Sequence, residues 1–114
     1  SQKLQFEYEK KNLEDQLAYQ QITSRKNLES AKNSISSGID ALKLAIASSE
    51  EAKRNYQLAT IDLLQFLSIQ QALVQAKQAL NNYKFNYLDA LTSYYVSSGQ
   101  DMAKLVSLLE GANK

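Results

Sequence analysis

The chain has 114 residues, a net charge of +1, and no Pro, Cys or His. Without His and Cys it has no imidazole acid–base chemistry, no thiol nucleophile, no ordinary zinc site and no disulfide framework. Only three Gly occur, and a Pro-free, Gly-poor chain rich in Ala, Leu, Gln, Lys, Glu and Ser is what long uninterrupted helices require.

Length allows one domain at most. The charge is dispersed: the doublets Lys10-Lys11, Arg25-Lys26 and Lys53-Arg54 each lie near acidic residues. That is a solvated face with local ion pairs, not a nucleic-acid footprint. No apolar run approaches the roughly 18 residues that span a bilayer. No signal-peptide pattern is recognisable, and Ser1 opens within a charged helical pattern, so the chain reads as a mature protein or a piece of a larger one.

From Ser1 to about Ala18 the pattern is helical but poorly amphipathic, with Leu4, Phe6, Tyr8, Leu13 and Leu17 as its apolar positions. Glu7 and Lys11 form an i,i+4 pair of the favourable orientation. Tyr19 to Arg25 is polar and holds no breaker, so the helix is expected to run through.

A clean seam then opens. Leu28, Ala31, Ile35, Gly38, Leu42, Ala45, Ser49, Ala52 and Tyr56 alternate steps of three and four. Phe66, Ile69, Leu73, Ala76, Leu80, Tyr83, Tyr87, Ala90 and Tyr94 do the same. These are heptad a/d stripes of helices that pack along their length. Folded back at about residue 61, they pair in antiparallel order, from Tyr56 with Phe66 outward to Leu28 with Tyr94. The paired numbers sum to 121 or 122 throughout, so the register holds. Gly38 falls opposite Tyr83, where a missing side chain makes room for a ring.

Each helix also carries a second apolar flank: Ile35, Ile39, Leu42 and Ile46 on the first, and Leu64, Leu67, Val74, Leu88, Leu91 and Tyr95 on the second. A two-stranded coiled coil needs one seam per helix. A helix with two expects two neighbours, as in a bundle or a barrel of helices. Gln65, Gln70, Gln71, Gln75 and Gln78 form an uncharged surface that either meets water in a lumen or is plain helix exterior.

At the tip, Asp62 is placed to N-cap the second helix with Gln65 at N3, an approximate capping box. Leu58 to Ile61 lacks Gly, so the turn is expected to close without the usual residue for positive φ. Leu58 and Ile61 either cap the seam or form a contact surface. The second helix is expected to end at Ser97-Ser98-Gly99, with Gly99 at C′. Asp101 would then cap a short amphipathic helix bearing Met102, Leu105, Val106, Leu108 and Leu109, stopped by Gly111. That helix would fold back on the overhang Phe6 to Leu17.

The expected fold is therefore all-α: a long antiparallel coiled-coil helical hairpin with a short C-terminal helix. Its parts are a helix over about 2–57, a tip at 58–61, a helix over about 62–98 and a short helix over about 101–110. No catalytic residue, metal site or cofactor is expected. The carboxylates scatter, there is no phosphate loop, and four of the seven Tyr lie on the seams.

The second half resembles the TolC-like outer-membrane efflux protein family. Its members carry Tyr-x-x-Gly, a Ser or Thr three residues on, then an apolar run of the form Leu-Asp-x-Leu-x-x-Gln. Here stand Tyr56-Gln57-Leu58-Ala59, then Asp62, then Leu64-Gln65-Phe66-Leu67-Ser68-Ile69-Gln70. The family's Leu…Ala…Leu…Asn-Tyr-Leu pattern is matched by Leu73, Ala76, Leu80 and Asn86-Tyr87-Leu88, and its closing Gly by Gly99. The likeness covers residues 28 to 110. Ala59 replaces the tip Gly, and Asp62 replaces Ser or Thr with an equivalent N-cap. The family's β-strands and second hairpin are not among these residues.

The resemblance implies a hairpin of the periplasmic α-helical barrel of a trimeric Gram-negative outer-membrane channel for efflux or type I secretion. Its tip would dock a periplasmic adaptor protein, with no nucleic acid and no direct membrane contact by this segment. Tyr56, Ala59 and Asp62 carry over by position, and Leu58, Thr60 and Ile61 complete the expected docking tip. The alternative is a stand-alone helical-hairpin structural protein or adhesin that self-assembles through its second seam.

Overall fold

The computed structural model describes residues 1–112. The described chain is two helices, α1 (Gln2–Gln57) and α2 (Leu63–Ala112), with no strand among the described residues. The protein is an all-α antiparallel helical hairpin. The 56-residue α1 runs without a break through the polar stretch at Tyr19–Arg25, as the absence of Gly and Pro there requires.

The chain falls into two units: Ala31–Tyr87, and Ser1–Ser30 with Leu88–Lys114. In the first, the predicted seam is the covered face. Gly38, Ser49, Ala52 and Leu80 are buried, and Ala31, Ile35, Leu42, Ala45, Phe66, Ile69, Leu73, Ala76, Tyr83 and Tyr87 are half-buried. A Cβ built on Gly38 would lie 2.8 Å from Tyr83 Cδ2 and 3.2 Å from Leu80 Cδ1. The glycine is thus required by packing, and that contact offsets its cost of roughly 1 kcal/mol in a helix interior.

One seam contact differs from the simple pairing. Ser49 is only 2 % exposed, and its hydroxyl donates to Gln70 Oε1 at 3.0 Å rather than resting against Leu73 alone. Gln70 is half-buried, and its Nε2 is buried without a hydrogen-bond partner. A buried donor left unpaired costs about 1–3 kcal/mol.

In the second unit the seam reaches further than the apolar residues of the sequence indicate. Phe6, Lys10, Leu13, Leu17, Ser24 and Leu28 are half-buried on α1 at three- and four-residue steps, broken only where Gln20 and Gln21 intervene. Lys10 and Ser24 hide this stripe from a reading of hydrophobicity. A Lys can lay its methylene stem along a seam and keep its ammonium in water.

The expected break at Gly99 does not occur. α2 continues to Ala112, Gly99 has no positive φ, and the residues read as a short C-terminal helix are the last turns of α2. A single Gly costs about 1 kcal/mol. Ending α2 there would also require nucleating a new helix of barely three turns, which is unfavourable alone. Gly111 likewise lies inside α2. The overhang Phe6 to Leu17 is covered without a fold-back: Phe6 and Leu13 line a shallow groove with Lys104, Ser107 and Leu108 of α2. The expected cap at Asp101 and the Leu105 contact lie outside the described side chains.

No large side chain among those described is fully buried. Two helices cover one stripe of each other and leave the rest to solvent or to neighbours, as the small buried fraction of any thin fold implies.

Candidate docking tip

The turn is built from two interlocking caps. At the end of α1, Ala59 N–H donates to Tyr56 O at 3.0 Å and Thr60 N–H donates to Asn55 O at 2.9 Å. This 5→2 and 6→1 pair is a Schellman motif, with Ala59 at C′. Ala59 has φ of 57°, the left-handed conformation that Gly adopts freely. The turn therefore closes without Gly, as expected, and takes its positive φ at Ala59, at a cost of roughly 1–2 kcal/mol. The Thr60 hydroxyl also donates to Asn55 O at 3.0 Å, adding a third bond to the motif.

At the start of α2 the capping box is complete. Gln65 N–H donates to Asp62 Oδ1 at 2.8 Å, and Asp62 N–H donates to Gln65 Oε1 at 3.0 Å. Phe66 N–H donates to Asp62 O at 3.0 Å and begins the helix ladder. Below the turn, Tyr56 and Phe66 stack with centroids 5.0 Å apart and planes 22° apart, the pair that the register predicts. Such a contact adds about 0.5–1.5 kcal/mol beyond the area it buries.

These bonds fix the backbone from Asn55 to Phe66 and determine what the tip presents. Leu58, Leu63 and Leu64 are exposed, and Ile61 is half-buried. Ile61, Leu64, Gln65, Ser68 and Ile69 line a shallow concavity on one side. Asp62 is the only charged residue between Arg54 and Lys77. The six residues singled out in the sequence divide by role. Tyr56 braces the base, Ala59, Thr60 and Asp62 hold the turn, and Leu58 and Ile61 supply apolar surface. Leu63 and Leu64 belong to that surface too, and their place directly after the N-cap was the available signal.

A second groove in the same unit is lined by Ala41, Leu44, Ala45, Ser48, Ile69 and Ala72, without a charged side chain. Among the described residues no group of three or more potential metal ligands comes together. No helix among them is long and apolar enough to cross a membrane. Comparison with protein-family models, curated proteins and solved structures finds no match.

Proposed function

We propose that the hairpin is a wall segment of the periplasmic α-helical barrel of a trimeric outer-membrane efflux or secretion channel. Its tip is the docking end for a periplasmic adaptor protein. The observation that carries this reading is the tip itself: a turn closed at both ends by capping bonds that presents three exposed leucines around a single carboxylate. A rigid end of this kind limits the conformational entropy lost on binding. An apolar surface with one charge suits a packed, largely dry contact with another helical tip. Ile39 and Ile46 of α1 and Leu64, Leu67, Val74, Leu88 and Tyr95 of α2 are exposed outside the seam, which suits a wall in which each helix has a neighbour on either side.

The test is a double replacement, Leu58→Ser with Ile61→Ser, and a pull-down against a periplasmic adaptor protein. Binding should fall about tenfold or more, since losing two interface side chains at about 1 kcal/mol or more each predicts that scale. Helicity by circular dichroism should not change, because neither side chain makes a capping bond. Unchanged binding would remove the tip from the docking role and favour a self-assembling hairpin protein.

A further inference from the structure

The tip carries a pattern that the hairpin leaves unused. Within the unit Ala31–Tyr87, every seventh residue is buried or half-buried: Ala31, Gly38, Ala45 and Ala52 on α1, then Phe66, Leu73, Leu80 and Tyr87 on α2. The step of seven runs through the turn unchanged, and the residue it meets there is Ala59. Ala59 is exposed and has φ of 57°, a left-handed conformation in the residue type of highest helix propensity. No Gly or Pro lies between Gly38 and Gly99, so nothing in Leu58 to Asp62 forbids a helix. A turn that merely joins two helices has no reason to keep their heptad count.

We propose that the chain has a second folded state, an arm-exchanged dimer. In it Leu58 to Asp62 straighten into helix, and α2 of each copy pairs with α1 of the other. The register allows this without loss to the seam. Antiparallel partners whose numbers sum to 121 or 122 meet across a two-fold axis at Thr60 and Ile61 as they meet within one chain. Gly38 faces Tyr83 of the second copy and Tyr56 faces its Phe66, so the hairpin's contacts are kept. New contact arises only at the axis. There Ala59 faces Leu63 of the second copy, small against large, as Ala52 stands to Ile69 in the register. In the hairpin Leu63 is 52 % exposed.

Straightening relaxes Ala59 in both copies and gives the first N–H groups of α2 the ladder partners that a helix start lacks. Against this stand the Schellman bonds and the Asp62–Gln65 capping box, which a continuous helix gives up. The companion stripe also changes side at the tip. It lies four residues after the shared one on α1 (Ser49, Tyr56) and three after it on α2 (Ile69, Ala76). Coiled coils accommodate such a stammer by local overwinding. Arms joined by a short turn meet at an effective concentration in the mM range. The hairpin is therefore the dilute form, and concentration drives the exchange, a low-cost route to a dimer. The exchanged dimer has no tip. It is also distinct from side-by-side packing of hairpins, because no surface outside the seam and the turn takes part.

The test is refolding of the chain from urea at concentrations up to about 1 mM, followed by sedimentation velocity. A dimer is expected at the high end. To identify exchange, Ser48→Cys and Ala72→Cys are combined in the otherwise Cys-free chain. Both positions are exposed and line one groove between α1 and α2. A short bismaleimide should join them within one chain in the monomer fraction and between chains in the dimer fraction, read as mass under denaturing conditions. Ala59→Gly favours the turn and disfavours the helix, so it should weaken dimerisation at least about tenfold. A chain monomeric at every concentration, a dimer cross-linked only within its chains, or Ala59→Gly dimerising like the parent would each overturn the proposal.

Discussion

Gly38 and Gly99 are the same residue in the same kind of element, a long helix, and their surroundings are opposite. At Gly38 the missing Cβ is where Tyr83 and Leu80 pack. At Gly99 the space is empty. A helix-propensity scale assigns both the same cost, about 1 kcal/mol against Ala. The difference shows that the sign of a Gly-to-Ala change depends on the opposing surface, not on the helix. The tip supplies the mirror image, since Ala59 occupies a backbone conformation that Gly would adopt without strain.

Three single-methyl changes therefore separate these environments by urea denaturation of dilute protein. The largest effect is expected for Gly38→Ala. Its methyl would enter at 2.8 Å from the Tyr83 ring, and overpacking of this kind costs about 1–3 kcal/mol, which exceeds the propensity gain. The variant should be less stable, and Tyr83→Leu in the same chain should recover part of the loss. Stabilisation by Gly38→Ala would show that the ring yields freely and that the seam is not close-packed.

Next is Ala59→Gly, which relieves positive φ while retaining the capping bonds. It should stabilise the hairpin by about 1 kcal/mol, less the extra entropy that Gly brings to the unfolded chain. A destabilised variant would mean that the Ala methyl itself packs at the tip. The smallest effect is expected for Gly99→Ala, a gain of at most about 1 kcal/mol in dilute solution. A loss there would show that the position is already occupied within one chain.

The sequence made the main architecture legible because the seam is periodic and its register is over-determined. Gly38 opposite Tyr83 and Tyr56 opposite Phe66 follow from one folding point, and both contacts are present. The capping box was legible because Asp62 and Gln65 are three residues apart. Other features were hidden for identifiable reasons. Gly99 has the local chemistry of a helix stop, but propensity is a weak local preference and α2 extends past it. Ala59 carries no signal for positive φ, and the Schellman bonds reveal that conformation only in the fold. Lys10 and Ser24 belong to the seam by position but not by hydropathy. The Ser49–Gln70 bond joins a seam residue to one beside the seam, which simple pairing does not reach.

The Gly38–Tyr83 contact has a further consequence, for the alternative registers that this hairpin must avoid. Heptad seams are nearly self-similar under a slip of seven residues, and Ala-rich ones are especially so. Sliding α2 by one heptad either way would set Tyr83 against Ala31 or Ala45, each with a Cβ where the ring needs none. The same slip would leave Gly38 facing Ala76 or Ala90, a gap on both sides. One crowded pair and one void arise together in either direction. A single glycine thus makes one alignment fit while its nearest competitors suffer two faults at once.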